Sequence, residues 1–342
     1  MSLVPYLHRV ASGADLSSKE AHAAMNLLLT DAADEAREPD SVVGSFLVAL
    51  RMKGETAAEL AGFARAMRER MVVVDAGEDV IDIVGTGGDG AGTFNISTVA
   101  AMVLAGAGAR VAKHGNRAIS GKVGSADVLE ALGIRIAMTP EEAARAVREI
   151  GLGFLFAPHL HPAMKNVQGV RRSLKMRTVF NLLGPLANPA RARTQVIGAP
   201  SSDFARTMAE ALAELGTGHS YVAHGRDGLD EISTAGWTDV YEVWTGRVDK
   251  QVWAPEDFGV PRATLDALAG GGAAENATIA VDILRGAKNP RRDIVLVNAA
   301  AGLMAAGAAD SPRLAMLKAA ESIDSGRALG VLENLQKKFP LA

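Results

Sequence analysis

The first seventy residues carry hydrophobic positions at helical spacing. Apolar residues fall on one face in three stretches, 21–29, 41–52 and 55–71. Ser17 and Glu20 stand three residues apart just before the first stretch, which is the pattern of a helix capping box. No strand signal appears in this part of the chain. The sequence therefore predicts an all-helical N-terminal segment.

After residue 75 the pattern changes to short β-rich runs that alternate with helical stretches. Strands are predicted at 80–84, 110–112, 134–137, 154–156, 194–199 and 220–223. Thr139 and Pro140 open one of the intervening helices as an N-cap and a first-turn proline. Residues 238–253 read as a hairpin about Thr245 and Gly246, and the last seventy as alanine-rich helices. This alternation indicates a mainly parallel central sheet covered by helices.

The stretch from 162 to 189 interrupts the alternation of strands and helices. It is helical and basic at first, and turn-like from 181 to 189. We expect it to return to the helical segment. The predicted architecture is α/β, with a small all-helical domain of residues 1–72 joined by about 162–189. A larger α/β domain would comprise residues 73–161 and 190–342.

Composition narrows the class of protein. The chain of 342 residues is long enough for about two domains. Its net charge of -3 means that it has no overall positive potential to attract nucleic acid. It has no cysteine, which excludes disulfides, thiolate nucleophiles and cysteine-ligated zinc. The N-terminal residues lack the apolar core of a signal peptide, and the apolar half of the 90–109 stretch is too short to span a bilayer. We expect a cytoplasmic protein without nucleic-acid or membrane partners.

A glycine-rich loop at 85–90 follows the first predicted strand and precedes a helix. Glycines allow main-chain amides to approach a phosphate, and a helix N-terminus favours an anion. A dinucleotide site would need an acidic residue about 20 positions further on, but the next strand ends in Lys113 and His114. No Gly-Lys-Ser/Thr sequence completes a Walker loop. The other reading is a tight turn without a ligand.

Further polar residues follow this loop and favour a phosphate ligand. Asn95, Ser97 and Thr98 stand at the start of the next helix, where one of them would also cap it. Residues 113–117 lie at the carboxyl end of the neighbouring strand, the edge at which open parallel sheets bind ligands. A second loop of small residues, 120–125, follows. Two such loops with a lysine between them predict a ligand that carries several phosphates.

A series of motifs runs in order along most of the chain. They are Gly-Thr-Gly-Gly-Asp at 85–89, Asn-Ile-Ser-Thr at 95–98, Lys-His-Gly-Asn-Arg at 113–117, Ser-Ala-Asp-Val-Leu-Glu at 125–130, His-Pro at 161–162, Val-Arg-Arg at 170–172, Arg-Thr-Val-Phe-Asn-Leu-Leu-Gly-Pro-Leu at 177–186 and Gly-Leu-Asp-Glu at 228–231. The series resembles that of the anthranilate phosphoribosyltransferase family.

The resemblance implies a reaction and an assembly. A member of this family is a pentosyltransferase of tryptophan biosynthesis, a glycosyltransferase that moves the 5-phosphoribosyl group of 5-phosphoribosyl-1-pyrophosphate (PRPP) to the amine of anthranilate. The products are N-(5-phosphoribosyl)anthranilate and pyrophosphate. The resemblance also implies a substrate cleft at the hinge between the two domains, and a homodimer joined through the helical domain.

The resemblance further implies three sets of site residues. PRPP would be bound by Gly85, Gly87, Gly88, Asp89, Asn95, Ser97, Thr98, Lys113 and Ser125. Anthranilate would be bound by Gly85, His114, Asn116, Ala157, Pro158, His161, Arg171 and Gly184. Mg²⁺, the expected cofactor, would be held by Ser97, Asp230 and Glu231.

Each of these assignments has a plainer alternative. Asp230 and Glu231 also suit a solvated acidic loop. The basic residues of the 162–189 stretch suit a solvated helix face, to which we assign Arg172 and Lys175. His114 is a candidate general base, but a neutral aromatic amine needs orientation more than deprotonation. We therefore name no certain catalytic side chain and expect positioning and electrostatics to supply most of the rate.

Two alternative functions are kept open. A pyrimidine nucleoside phosphorylase-like enzyme would share the fold and the lysine loop, but the acidic pair and the 177–186 motif favour the transferase. A non-catalytic nucleic-acid-binding relative should be basic and should have lost parts of the metal site, whereas this chain is slightly acidic and keeps them.

Overall fold

Helices form the N-terminal part of the protein. The computed structural model describes residues 2–31, 34, 37–87, 90–118 and 123–341. The helices are α1 (Val4–Ala11), α2 (Ser18–Leu28), α3 (Asp40–Lys53) and α4 (Ala57–Arg70). The capping box predicted at Ser17 is confirmed, because its hydroxyl accepts a hydrogen bond from the Glu20 amide and the Glu20 carboxylate accepts one from the Ser17 amide.

A seven-stranded sheet, taken over the described residues, forms the centre of the larger part. Its strands are β1 (Val80–Gly85), β2 (Arg110–Gly115), β3 (Leu152–Phe156), β4 (Thr194–Gly198), β5 (Ser220–Gly225), β6 (Thr238–Trp244) and β7 (Arg247–Trp253). Their order is β3-β2-β1-β4-β5-β6-β7, parallel through β5 and antiparallel in the last two pairs. The mainly parallel sheet is confirmed.

The predicted hairpin is also present as β6 and β7. Trp244 pairs with Arg247 across a two-residue loop, in which Thr245 and Gly246 have φ angles of 52° and 77°. Positive φ at both central positions is typical of the hairpin turn that matches the twist of the strands.

Helices cover both faces of the sheet. The α-helices that follow β1 are α5 (Ile96–Gly106), α6 (Ser125–Ala131), α7 (Pro140–Ile150), α8 (Ala157–Leu160), α9 (Lys165–Leu174), α10 (Phe180–Leu186), α11 (Ser202–Glu214), α12 (Ala273–Leu284), α13 (Pro290–Ala305), α14 (Pro312–Asp324) and α15 (Arg327–Lys338); α5, α7, α11 and α13 are among those that contact the strands. Almost every residue of α5 is buried, which explains why its sequence is apolar on all sides. None of the described helices is both long and apolar enough to cross a lipid bilayer.

The segment that contains α9 and α10 packs on the N-terminal helices. A Cβ on Gly44 of α3 would lie 3.6 Å from Val170 and 4.0 Å from Leu174, both on α9. Val170 and Leu183 belong to the same apolar cluster as Phe46 and Phe63. That cluster continues into α11 and strands β4 to β6. The division of the chain into residues 1–72 with 162–189, and the remainder, stays a prediction.

Two local predictions were wrong. Residues 134–137 form no strand, because only Ile134 finds a bridge partner, Pro340, at this edge. The turn predicted at 181–189 is largely the helix α10, with Pro185 inside it. Its apolar residues Phe180, Leu182, Leu183 and Leu186 are buried, and their packing outweighs the local turn signals.

Candidate active site

The carboxyl ends of β1 and β4 meet over one carboxylate. β1 ends at Gly85 and β4 at Gly198, and the order of the strands reverses between these two. A Cβ on Gly198 would lie 1.5 Å from the Asp230 carbonyl oxygen, and one on Gly85 would lie 2.7 Å from Asp230 Oδ2. Asp230 Oδ2 also accepts a hydrogen bond from the Gly87 amide at 2.5 Å. The two strand-end glycines thus make room for a buried carboxylate that fixes the glycine loop.

The Lys113 side chain reaches from β2 to β1 and to the start of α5. Its ammonium is buried and donates hydrogen bonds to the Ile83 carbonyl oxygen at 2.6 Å and to the Ser97 hydroxyl at 3.3 Å. Burial lowers the pKa of Lys113, whereas the carboxylates of Asp82 and Glu231 act to raise it. The structure therefore brings the lysine together with a hydroxyl and an acidic residue from two other predicted motifs.

The polar residues at the start of α5 do not cap the helix through their side chains. Asn95 is the N-cap residue, but its side-chain Nδ2 donates to the Val123 carbonyl oxygen at 3.2 Å, and its Oδ1 accepts from Asn276 Nδ2 at 3.0 Å. The buried Thr98 hydroxyl has no hydrogen-bond partner among the described residues. The prediction of a side-chain cap was wrong, because Asn95 ties the start of the helix to the loop before α6 and to α12.

The predicted loop after β2 lies against the start of α6. A Cβ on Gly115 would lie 2.4 Å from Ser125 Oγ and 2.7 Å from the Phe154 ring, so the glycine permits this close approach. Ser125 Oγ donates a hydrogen bond to the Asn116 carbonyl oxygen at 3.4 Å. Two residues predicted for different substrates, Ser125 and Asn116, are therefore neighbours.

The acidic residues of the 125–130 motif bind Arg117 and two main-chain amides, those of Ala118 and Gly124. Arg117 forms ion pairs with Glu130 at 2.5 Å and with Asp127 at 3.1 Å. Asp127 Oδ2 also accepts hydrogen bonds from the amides of Ala118 at 3.1 Å and Gly124 at 2.8 Å. These carboxylates have a structural task, which is to close the loop between β2 and α6.

His114 and His161 form a pair of buried neutral imidazoles. Their ring centroids are 5.0 Å apart. Nδ1 of His114 lies 3.0 Å from the Gly184 carbonyl oxygen and must donate to it, so Nε2 carries the lone pair. Neither Nε2 atom has a partner among the described residues. Burial lowers the pKa of His114 to about 3 and that of His161 to about 4, so His114 would be a weak base at neutral pH.

Arg171 is the half-buried cation of α9. Its guanidinium lies 5.1 Å from the centre of the Phe180 ring, and it forms no ion pair with any described carboxylate. Burial lowers its pKa, although a guanidinium still remains charged. Arg172 and Lys175 are exposed, as the interpretation of a solvated face expects. The structure thus separates Arg171 from its basic neighbours.

The remaining predicted residues lie on α8 and α10 or outside the described part. Ala157 and Pro158 open α8 directly after β3. A Cβ on Gly184 would have no atom within 4 Å, so this position of α10 faces open space. Gly88 and Asp89 lie outside the described residues.

The donors predicted for a metal are oxygen atoms of Asp230, Glu231 and Ser97. Asp230 is buried, Glu231 is half-buried, and Ser97 contacts Lys113. In the ranges that the structure describes, no three histidine or acidic residues cluster as a complete metal site. Mg²⁺ does not need one, since it takes one or two carboxylates and completes its shell with water and substrate phosphate. The donor set fits this ion.

Sequence reasoning missed three residues of this region. Arg177 donates a hydrogen bond to the Gly87 carbonyl oxygen at 2.7 Å, and so contacts the glycine loop rather than forming part of a solvated face. Asp82 and Asn188 are buried beneath the loops. Asp82 could have been found, because an acidic residue in the middle of an apolar strand needs a buried partner.

Comparison with known proteins extends over nearly the whole chain. Residues 4–71 match the family described as "Glycosyl transferase family, helical bundle domain", and residues 77–329 match "Glycosyl transferase family, a/b domain". Among curated relatives, anthranilate phosphoribosyltransferase of Solibacter usitatus is 55% identical over 96% of both chains. That of Symbiobacterium thermophilum is 50% identical over 97% of this chain and 96% of its own.

Solved structures agree in the fold. Anthranilate phosphoribosyltransferase from Thermus thermophilus is similar with a TM-score of 0.89 and 43% identity, over 96% of this chain and 97% of that one. The Saccharomyces cerevisiae enzyme in complex with PRPP and Mg is similar with a TM-score of 0.87 and 32% identity, over 97% and 96%.

Proposed function

The chain belongs to the anthranilate phosphoribosyltransferase family and is a pentosyltransferase, and we propose that it joins PRPP and anthranilate in the cleft above β1, β2 and β4. One observation carries this location. The Lys113 ammonium is buried at the carboxyl edge of the sheet and contacts Ser97 at the start of α5. A buried cation beside a glycine loop and a helix start suits a departing polyanion.

For PRPP, we propose that the glycine loop and the start of α5 bind the phosphates. The amides of Thr86 and Gly87 already donate to the Gly198 carbonyl oxygen and to Asp230 Oδ2, so the side chains of Asn95, Ser97 and Thr98 would supply the phosphate contacts beside the loop. The unpartnered hydroxyl of Thr98 supports this role. Lys113 supplies the positive charge that stabilises pyrophosphate as its bond to the ribose carbon breaks. Ser125 would contact the substrate from the second loop.

For the metal, we propose that Asp230, Glu231 and Ser97 hold Mg²⁺. When bound, this ion would neutralise charge on the pyrophosphate oxygens and so favour its departure. Asp230 has a second task that depends on no metal. Its carboxylate accepts from the Gly87 amide and so holds the glycine loop.

For anthranilate, we propose that Arg171 binds the carboxylate with its guanidinium fork. Asn116, Ala157, Pro158, His161, Gly184 and Gly85 would line the pocket with His114. The His114 Nε2 lone pair can accept a hydrogen bond from the substrate amine, because Nδ1 donates to Gly184. This bond would aim the lone pair of the amine nitrogen at the ribose carbon. His114 therefore orients the nucleophile, and the low pKa of its ring argues against a role as base.

The reaction can be tested with three components. Purified protein is mixed with anthranilate, PRPP and Mg²⁺, and loss of anthranilate fluorescence is followed. We expect loss only when all three are present, with N-(5-phosphoribosyl)anthranilate as the product. No loss with folded protein, under conditions in which a known transferase works, would contradict the assignment. Cleavage of thymidine or uridine by phosphate would then favour a nucleoside phosphorylase, and salt-dependent DNA binding would favour a nucleic-acid-binding relative.

For the assembly, we propose a homodimer joined through the helical part. An open groove of about 780 Å³ runs between α1, α3 and α9, and its lining is mainly apolar. Met52 stands at this groove with 82% of its surface exposed. A second copy of the same surface would cover it. Sedimentation velocity should show a dimer for the native chain and a monomer for Met52→Glu; equal dimer content would contradict this interface. The cytoplasmic location, without nucleic-acid or membrane partners, stays a prediction.

A further inference from the structure

The β1–β2 ladder ends after the second residue of each strand. Main-chain pairing joins Val80 with Arg110 and Ile81 with Val111. On its other side, β1 pairs with β4 from Ile81 to the last residue of the strand, Gly85. At its carboxyl end, β1 therefore pairs through the main chain with β4 but not with β2.

Beyond the last paired residues, the buried side chains of Asp82 and Asn188 form hydrogen bonds to the main chain of β2. Asp82 Oδ1 accepts a hydrogen bond from the His114 amide at 3.2 Å, and its Oδ2 accepts one from Asn188 Nδ2 at 2.7 Å. Asn188 Nδ2 also donates to the Ala112 carbonyl oxygen at 2.8 Å, while its Oδ1 accepts from the Ala190 amide at 2.7 Å. Main-chain groups of β2 are therefore satisfied by side chains instead of by β1.

The Lys113 side chain, from β2, also connects to β1 beyond the end of the ladder. Its ammonium donates to the Ile83 carbonyl oxygen on β1. Burial raises the pKa of Asp82 to about 6, and the Lys113 ammonium acts to lower it. The Asp82 charge in turn favours the charged form of Lys113. Each of these two buried groups therefore favours the charged form of the other.

We propose that Asp82 and Asn188 are positioning residues, which set the spacing of β1 and β2 at their carboxyl ends and keep the Lys113 ammonium at the Ile83 carbonyl oxygen and the Ser97 hydroxyl. This inference rests on the proposed function, in which Lys113 binds PRPP. Neither residue would touch the substrate. Their effect on PRPP would pass through Lys113 and through the main chain at His114.

The first test compares two buried polar residues on adjacent strands. Gln195 pairs with Asp82 in register on β4, and its Nε2 donates to the Pro185 carbonyl oxygen at 2.7 Å. Gln195→Met removes a buried hydrogen bond in which neither Lys113 nor His114 takes part, and is the matched control for Asp82→Asn. PRPP affinity is measured by calorimetry with Mg²⁺ present, and the KM for anthranilate by fluorescence.

We expect Asp82→Asn to weaken PRPP binding at least about tenfold, because it removes a charged hydrogen-bond acceptor of the His114 amide and of Asn188, and a buried negative charge that favours the charged form of Lys113. The KM for anthranilate should change less than the PRPP affinity. Gln195→Met should lower the melting temperature without this selective loss. PRPP affinity kept by folded Asp82→Asn, or weakened equally by Gln195→Met, would overturn the positioning role.

The second test is a double-mutant cycle with Lys113→Met. If Asp82 acts through Lys113, Asp82→Asn should add little to the loss of PRPP affinity that Lys113→Met already causes. The double variant carries neither buried charge, so its comparison with Lys113→Met still measures what Asp82→Asn adds when Lys113 is absent, even if Asp82→Asn alone does not fold. Fully additive losses would overturn the inference. Unchanged PRPP affinity in Lys113→Met itself would instead remove the proposed role of Lys113.

Discussion

Replacing Arg171 by alanine should weaken anthranilate binding and leave PRPP binding nearly unchanged. The guanidinium is half-buried, is held 5.1 Å from the Phe180 ring centre and has no carboxylate partner in the described chain. A hydrogen bond to a charged group contributes about 1.5–3 kcal/mol. Because about 1.4 kcal/mol corresponds to a tenfold change, the KM for anthranilate should rise about 10- to 100-fold.

The chain offers matched controls for this prediction. Arg172 is the next residue on the same helix and is exposed, so Arg172→Ala should leave both KM values near those of the native enzyme. Arg171→Lys keeps the charge but loses the planar fork, and should fall between the native enzyme and Arg171→Ala. Initial rates are measured by anthranilate fluorescence while each substrate is varied in turn. A larger rise in the KM for PRPP, or equal effects of the two alanine variants, would refute the assignment.

Three further predictions concern the carboxylates, the glycines and the buried histidine. Asp230→Asn combined with Glu231→Gln should lower kcat/KM about 10²- to 10³-fold, with a small fall in melting temperature because Asp230 also accepts from the Gly87 amide; a Mg²⁺ titration that matches the native one would remove the metal site. Gly198→Ala should destabilise the fold by about 1–3 kcal/mol in urea unfolding, because its Cβ would lie 1.5 Å from the Asp230 carbonyl oxygen. Gly184→Ala should not destabilise the fold, because its Cβ would have no atom within 4 Å. Similar losses of unfolding free energy in the two variants would contradict the close contact at Gly198. The pKa of His114 is about 3 in the folded protein, against an ordinary value of 6.5. As the pH falls below 6.5, only the unfolded chain takes up the proton, so the free energy of unfolding decreases as the pH is lowered. His114→Gln should lose less stability than the native protein between pH 7 and pH 5, and parallel curves would exclude the effect.

Several features of the fold followed from local sequence. The capping pair of Ser17 and Glu20 and the hairpin at Thr245 and Gly246 depend on residues close together in the chain, and both are present. The alternation of strands and helices indicated a parallel sheet, because a parallel connection needs a crossover. The motifs were sufficient to identify the family. Local rules failed at 134–137, since a strand also needs a neighbour.

Other features were decided by tertiary structure. Gly198 has no room for a side chain, because the Asp230 main chain lies against it. Asp230 is 32 residues further along the chain, so no local pattern shows this contact. The sequence grouped Arg171, Arg172 and Arg177 on one basic stretch, and packing gave each a different environment.

The sequence by itself determined which chemical groups this protein has and the order in which they occur. Only the tertiary structure decided which of them are buried, which are paired, and which come into contact. The physical reason is that burial and pairing depend on contacts between residues far apart in the chain. Asp82 and Asn188 are 106 positions apart, yet their side chains meet at 2.7 Å beneath the loops that we assign to the substrates.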